Sequence, residues 1–286
     1  MSVFGLLYLT LIVSMIVADF GFTSWSDIRE SLSDPRVQFS IWLSLISCTM
    51  SAIMSLWVAV PTGFILSRLD SDMINRQLVR RPFLRRIANV TRQTVETIFD
   101  IPIVMPPLVV GISLLVLFQS PVGRWLDHAT GDLMDATGFP GIRGITYEIP
   151  AVILGQFTVA AAFAVRTMKN TFDQIDPRPE QVAMTLGAGR YQAFSQVTLP
   201  QAWRGSVAAF TLAWARSLGE FGPILIFAGT ARMKTEVLST TVYLNFQFGN
   251  LQGAVAASLI LLTLAGIVLI FTRLIASGTI APGGNQ

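Results

Sequence analysis

The 286-residue sequence has little of what enzymes commonly use for chemistry: one histidine, His128, one cysteine, Cys48, and only 13% charged residues. It contains no H-E-x-x-H, no G-x-S-x-G and no G-x-x-x-x-G-K-[ST] motif, so the usual residues of zinc hydrolases, serine hydrolases and P-loop ATPases are missing. A single cysteine forms no intramolecular disulfide, and Cys48 is predicted to be a small buried residue. The sequence argues against an enzyme and predicts no cofactor or metal in this chain.

The sequence instead contains long apolar runs without charged residues. Several are long enough to cross about 30 Å of hydrocarbon, which takes roughly 20 apolar residues. Patterns typical of strands are nearly absent. The sequence predicts an all-α polytopic membrane helical bundle of about six transmembrane helices, forming a single membrane domain over residues 1–286. The six predicted spans are Val3–Ala18, Val37–Ser67, Ile98–Phe118, Pro150–Val165, Gly205–Ala228 and Leu251–Ile275.

The distribution of lysine and arginine predicts the orientation. Seven arginines lie between spans two and three, from Arg68 to Arg92, and five basic residues lie between spans four and five, whereas the opposite loops hold six in all. The positive-inside rule then places both basic loops and both termini in the cytoplasm of a multi-pass inner-membrane protein. This distribution also favours membrane lipid over nucleic acid as the partner of the basic residues. Span one lacks a basic n-region and is interpreted as a retained helix.

The second basic loop, residues 166–204, is the least expected part of the chain. Asp176 and Pro177 are typical of a helix start, and the glycines at 187 and 189 predict a break after a short helix. A second short helix is predicted from Arg190 to about Leu199, ending at Pro200. Apolar residues recur on both helices, so the pair is expected to contact either a partner protein or lipid headgroups.

This loop resembles the signature of ABC importer permeases, which has a Glu-Ala-Ala triplet, a glycine six residues after the Glu, an aliphatic residue and Leu-Pro at fixed distances. Gln181 stands where the family has its acidic residue, and Glu180 precedes it. The resemblance implies a cytoplasmic coupling-helix loop between spans four and five that contacts an ATPase. The residues assigned to this contact are Glu180, Gln181, Ala183, Gly187, Val197, Leu199 and Pro200.

The resemblance extends over about 100–262 and is closest to permeases of the molybdate and sulfate type. It is carried by "IPIVMPPLVVGISLLVLF", by "VRTMKNTFDQIDPRPEQVAMTLGAGRYQAFSQVTLP" and by "ARSLGEFGPILIFAG". It implies a homodimer of permeases, separate ABC ATPase subunits that bind ATP and Mg²⁺, and an external or periplasmic substrate-binding protein. It also implies an oxyanion substrate, with molybdate ranked first and tungstate or sulfate as alternatives.

Two broken stretches are candidates for the translocation path or gate. Arg216 and Glu220 are four residues apart in span five, which predicts a shared helix face and either a structural ion pair or a pair lining the path. Prolines and glycines interrupt spans three and five. This predicts either a gate in which the stretches 102–111 and 219–223 face each other across the axis of the implied dimer, or kinks that only shape the bundle. The path candidates are Pro102, Pro106, Pro107, Gly111, Arg216, Gly219, Glu220 and Gly222.

The expected outer loops are 119–148 and 230–250, where a binding protein would dock. Trp125 and Tyr243 are candidate contacts, and interfacial anchoring is the alternative role for these aromatic residues. The alternative function is an ion channel or a secondary transporter that uses no ATP, since broken helices and intramembrane charges are also typical of those classes.

Overall fold

A computed structural model describes residues 3–69, 94–138 and 143–276, and within these ranges the regular elements are helices with no strand. Because hydrocarbon offers no hydrogen-bond partners, helices that satisfy their own backbone are the expected solution. The predicted all-α class is confirmed. The first helices are α1 (Val3–Phe22), α2 (Trp25–Ser33), α3 (Pro35–Leu69), α4 (Thr94–Val104), α5 (Pro107–Gln119), α6 (Pro121–Ala136) and α7 (Ile149–Asp173).

The second half of the chain has shorter elements between two long helices. Two of them are π-helical turns, Phe194–Thr198 and Ile224–Ala228, in which the backbone is wider than in an α-helix. The remaining helices are α8 (Arg178–Thr185), α9 (Arg190–Ala193), α10 (Leu199–Gln201), α11 (Trp203–Leu218), α12 (Leu238–Gln247) and α13 (Leu251–Ala276).

Four helices of the described chain are long and apolar enough to cross a membrane, namely α1, α3, α7 and α13. A fifth span forms if α4 and α5 are taken together, although they are bent by 109° at Met105 and Pro106. The remaining predicted span, 205–228, is not one helix: α11 ends at Leu218, and the chain resumes as the second π-helical turn. Gly219, Gly222 and Pro223 explain this break, because glycine and proline favour helix ends and kinks.

The chain divides into two compact units, and each has its own polar contacts. One unit comprises 1–47, 111–152 and 218–268, and the other comprises 48–110, 153–217 and 269–286. In the first unit the Ser44 hydroxyl accepts a hydrogen bond from the Leu238 backbone N–H at 2.8 Å. In the second unit the hydroxyls of Ser51 and Ser217 lie 3.0 Å apart. The hydroxyls of these three serines thus bond within protein, as the cost of exposing them to lipid favours.

One face of α3 carries small polar residues at helical spacing. Their spacing of three or four residues places them on the same side of the helix, and all five are buried: Ser40, Ser44, Ser47, Ser51 and Ser55. Helix α1 differs, since none of its residues is buried within this chain. Its apolar surface is left for lipid or for another subunit.

At Gly63, α3 lies directly against α7. A Cβ atom built on Gly63 would lie 2.8 Å from the Lys169 backbone nitrogen and 2.9 Å from the Met168 Cβ. Small residues at helix crossings allow this proximity in membrane proteins. The fit at this position therefore depends on the absence of a side chain.

Replacing Gly63 with alanine is expected to destabilise the protein by about 1–3 kcal/mol, because the clash falls on the backbone of α7 and forces the helices apart. The measurement is the thermal unfolding midpoint in mild detergent. Gly266→Ala in α13 is the matched control, since a Cβ there meets nothing within 4 Å, and its midpoint should stay unchanged or rise slightly. Equal midpoints for the two variants would contradict this account of the crossing.

Candidate functional site

The coupling segment, defined as residues 174–202, begins with a capped helix and turns at a glycine. The Asp176 carboxylate accepts a hydrogen bond from the Arg178 backbone N–H at 2.9 Å at the start of α8. At the other end the Ala188 N–H donates to the Ala183 carbonyl at 3.0 Å, and Gly187 has φ +99°. A left-handed residue with these bonds is a common way to end a helix. The predicted glycine break is at Gly187.

The second half of the coupling segment differs from the prediction. The chain stays helical from Arg190 to Gln201, and Pro200 lies inside α10 instead of ending the helix. The reason is the preceding π-helical turn, in which the Leu199 N–H donates to the Phe194 carbonyl five residues back. Proline has no N–H and clashes with the carbonyl four residues before it. The wider turn accommodates both effects, so the predicted stop at Pro200 is wrong.

Aromatic rings hold the coupling segment to the helix ends beside it. The Phe194 ring centroid lies 4.6 Å from that of Phe64 on α3, and the Phe172 ring at the end of α7 lies 5.5 Å from Phe64. Ala193 is also buried. One face of the segment is therefore packed against α3 and α7 of its own chain. We call the opposite face, which points away from the chain, the outward face.

Glu180 is the polar part of the same attachment. Its Oε2 atom accepts hydrogen bonds from the Arg68 Nη2 and from the Thr198 hydroxyl, each at 3.0 Å. The Glu180 carboxylate therefore joins α8 to the end of α3 and to the second half of the segment. Arg68 and Thr198 were not among the predicted site residues. The sequence signal for Arg68 is a basic residue in the last turn of an apolar helix. The positive-inside rule explains such a residue without assigning it to a site.

The outward face of the coupling segment is apolar. Leu186 is 84% exposed, Tyr191 is 80% exposed and Val182 is also exposed. These three residues lie on both sides of the Gly187 turn, and we call them the outward patch. Exposed apolar side chains on a rigid turn are typical of a protein interface.

The predicted coupling residues divide between these two faces. Gly187 and Pro200 are exposed, whereas Glu180 and Gln181 are half-buried. The other three positions, Ala183, Val197 and Leu199, are also half-buried. Their assigned contact with an ATPase stays a prediction, and the apolar residues most available for such a contact are those of the outward patch.

Gly111, the last residue of the first broken stretch, lies against the second broken stretch of the same chain, while the expected placement of the stretches across a dimer axis stays a prediction. A Cβ atom on Gly111 would lie 3.0 Å from the Pro223 Cα and 3.1 Å from the Gly222 carbonyl oxygen, and Gly111 is buried. Pro106 and Pro107, at the bend before α5, are exposed in one protomer, and Pro102 is half-buried. The bend and the break are therefore present where the sequence predicts them, while their role as a gate stays a prediction.

The expected helical spacing of Arg216 and Glu220 does not hold. Helix α11 ends at Leu218, so Glu220 lies beyond the helix that carries Arg216. Gly219 is the turn residue between them, and its weak helix propensity explains the early end. The Arg216 guanidinium carbon lies 5.7 Å from the Phe163 ring centroid, and Glu220 is 1% exposed. Their assignment to the path stays a prediction.

The expected outer loops contain helices that sequence analysis missed. Helix α6 lies within 119–148 and starts at Pro121, with the Ser120 hydroxyl accepting from the Gly123 N–H at 3.1 Å. The Ser-Pro pair was a usable signal for a helix start. Trp125 is exposed on α6, and the Tyr243 ring on α12 lies 4.8 Å from that of Phe221. A docking role for either aromatic residue stays a prediction.

The loop before α12 is tightly held. Thr230 and Met233 have φ of 42° and 59°, an uncommon region for side-chain-bearing residues, and the Lys234 ammonium contacts the Glu148 carboxylate at 2.5 Å. Burial raises the pKa of the Glu236 carboxyl above its ordinary value, although the hydrogen bond from Thr241 and the nearby arginines act in the opposite direction. A loop that stays strained must be fixed by its surroundings.

The described chain thus combines helices long and apolar enough to span a membrane, breaks within helices and a short segment with an exposed apolar face. These features are typical of a transport permease. A family model described as binding-protein-dependent transport system inner membrane component matches residues 83–280. The chain belongs to this family and is a permease of the ABC importer type.

Relatives and solved structures agree with this assignment. The chain is 31% identical to the molybdate/tungstate transport system permease protein WtpB of Pyrococcus furiosus over 246 residues, which cover 86% of this chain and 81% of that protein. It is 28% identical to the sulfate transport system permease protein CysT of Escherichia coli over 271 residues, covering 94% and 87% respectively. A chain of a bacterial alginate ABC transporter, solved with an alginate-bound periplasmic protein, shares the fold with a TM-score of 0.64 at 17% identity, covering 97% of this chain and 96% of that one.

Gly187→Ala is expected to loosen the coupling segment, because an alanine at φ +99° costs about 1–2 kcal/mol. The measurement is backbone hydrogen exchange over residues 178–201, which should become faster. Gly189→Ala is the matched control: Gly189 has φ −67°, which any residue adopts, and exchange should stay the same or slow. Faster exchange in both variants, or in neither, would contradict the assigned turn.

Proposed function

We propose that this chain is the permease subunit of an ABC importer for an oxyanion, with molybdate first and tungstate or sulfate as alternatives. An external binding protein delivers the anion, two copies of the chain form the pathway, and separate ATPase subunits drive it. The outward patch carries this proposal. A self-sufficient channel or carrier has no need for a stiff apolar surface outside its membrane helices, whereas a permease without an ATP-binding motif needs such a surface to receive its ATPase.

The proposed orientation is supported by the contact between Arg68 and Glu180. This contact places the end of α3 beside the coupling segment, so the basic loop that follows α3 and the basic coupling loop start on the same side. Most of the first loop, residues 70–93, lies outside the described residues. The positive-inside rule then supports a cytoplasmic coupling segment and cytoplasmic termini.

A dimer is supported by the apolar surface that one protomer leaves uncovered. Helix α1 has no buried residue, and Val104 and Leu108 on either side of the α4–α5 bend are exposed. Surfaces of this size in a membrane protein face lipid or a further subunit. A second copy placed against the bend would enclose the broken stretches that are candidates for the path.

The substrate class is supported by chemistry and by the relatives. Sulfate, molybdate and tungstate are tetrahedral dianions. One relative is named for sulfate, and another is named for molybdate and tungstate. Helix α3 from Val37 to Ser67 and α13 from Leu251 to Thr272 contain no charged residue. A membrane path with few fixed charges holds an anion weakly, so that the anion leaves quickly. The binding protein then selects which anion enters. Molybdate ranks first because the stretch from Ser217 to Gly229 most resembles the molybdate group.

Replacing both Leu186 and Tyr191 with aspartate is expected to abolish retention of the ATPase subunit, since the change puts two carboxylates into an apolar interface. The measurement is co-purification of the ATPase in mild detergent with and without ATP. Leu133→Asp on α6 is the control, because Leu133 is also an exposed leucine. If wild-type protein retains no ATPase under any nucleotide condition, a channel or secondary transporter becomes the better interpretation.

Uptake by proteoliposomes that contain the permease, ATPase and binding protein is expected to require ATP inside and to be fastest for molybdate. The three anions are compared at equal concentration, with phosphate as a tetrahedral control. ATP-dependent uptake of sulfate alone would keep the importer and replace the anion. Uptake of none of the oxyanions, with ATP hydrolysis intact, would overturn the substrate class.

A further inference from the structure

Arg68, in the last turn of α3, contacts the coupling segment at two places. Its Nη2 lies 3.0 Å from Glu180 Oε2 on α8, and its Nη1 donates to the Ile175 carbonyl oxygen at 3.5 Å, just before α8. Both partners of the ion pair are mostly buried, with 20% and 13% of the side chains exposed. A pair shielded in this way is weakened less by water and salt than a surface pair.

The same carboxylate reaches the second half of the segment. Glu180 Oε2 also accepts the hydroxyl of Thr198 at 3.0 Å, and Thr198 is buried in the π-helical turn. The Arg68 guanidinium carbon lies 5.3 Å from the Phe64 ring centroid, and the Phe64 ring packs on Phe194. Arg68 thus joins α3 to both halves of the segment through a charge-assisted hydrogen bond and an aromatic stack.

This contact differs from the covalent connections of the segment. The chain links the coupling segment directly to α7 before it and to α11 after it, whereas α3 ends more than 100 residues earlier. Any displacement of the segment reaches α7 and α11 through the backbone, whereas it reaches α3 through contacts between side chains or indirectly through the crossing of α3 and α7 at Gly63. The Arg68 contacts and the packing of Phe64 are direct contacts of this kind.

We propose that Arg68 is a positioning residue that transmits movement of the coupling segment to α3, so that ATP hydrolysis in the partner is converted into uptake. The inference rests on the proposed function, because it assumes that an ATPase moves the segment. Arginine suits this role better than lysine, since its planar fork reaches Glu180 and the Ile175 carbonyl together while it stacks on Phe64. The outward patch receives the movement, and Arg68 passes it to a helix that the segment does not adjoin in sequence.

The test uses the full complex in proteoliposomes and measures ATP hydrolysis and molybdate uptake in the same vesicles. Arg68→Gln is expected to keep the ATPase bound and hydrolysis within about twofold of wild type, while uptake per ATP falls about tenfold, the usual size of a coupling between sites. Glu180→Gln should give the same uncoupling, and Arg68→Lys an intermediate value. Arg273→Gln is the matched control, since Arg273 is an exposed arginine in the last turn of α13.

A second measurement does not depend on the substrate. In a Cys48→Ala background, a spin label at Ile65→Cys, an exposed position on α3, is expected to change its spectrum on addition of ATP and Mg²⁺ in the complex with Arg68 intact. The same label should not respond with Arg68→Gln. The readout is taken only on Arg68→Gln complexes that still bind the ATPase and hydrolyse ATP, so a lost response reports lost movement of α3 and not a failure to fold.

The outcomes separate this inference from the proposed function. Unchanged uptake per ATP in Arg68→Gln, or an equal label response with and without Arg68, overturns the inference alone. Loss of the ATPase from Arg68→Gln also overturns it, because the residue would then act in docking. A wild-type chain that retains no ATPase overturns the proposed function and this inference with it.

Discussion

The requirement that backbone and polar groups be satisfied inside hydrocarbon governs most of this structure. It explains why the described elements are helical and why the small polar residues of α3 lie on one buried face. It also bears on the break after α11, which glycine and proline cause. There Gly222 and Pro223 lie against Gly111 of α5, and a Cβ atom on Gly111 would lie 3.0 Å from the Pro223 Cα. Backbone without helical partners is thus kept against protein.

The long spans could be predicted from the sequence because their signal is local. A run of apolar residues of sufficient length has few other solutions, and α3, α7 and α13 lie where the runs do. The break at Gly219 was predictable for the same reason. Helix α6 was missed because it is amphipathic and short, although Ser120 and Pro121 mark its start. Local sequence patterns therefore predict those helices whose position depends only on burial in the membrane.

The attachments of the coupling segment could not be predicted, because they depend on residues far apart in the chain. The assignment of Glu180 to an ATPase contact stays a prediction, and the structure adds that its carboxylate accepts from Arg68 and Thr198. The stop at Pro200 failed because no local rule indicates a π-helical turn before a proline. The paired spacing of Arg216 and Glu220 assumed a continuous helix, which the glycine at 219 ends. Each difference comes from a tertiary contact or a backbone form that sequence spacing does not specify.

A segment that transmits movement from a partner protein must itself deform less than its contact with that partner. The coupling segment has a glycine turn of defined geometry, a cluster of aromatic rings in which Phe172 is fully buried, and one carboxylate that accepts from two donors. The outward patch adds nothing to this attachment, since its side chains are exposed. Attachment and exposure therefore belong to opposite faces of the same short helices. If an ATPase binds the exposed face, as proposed, that face can change in sequence while the inward face keeps the segment attached to α3 and α7.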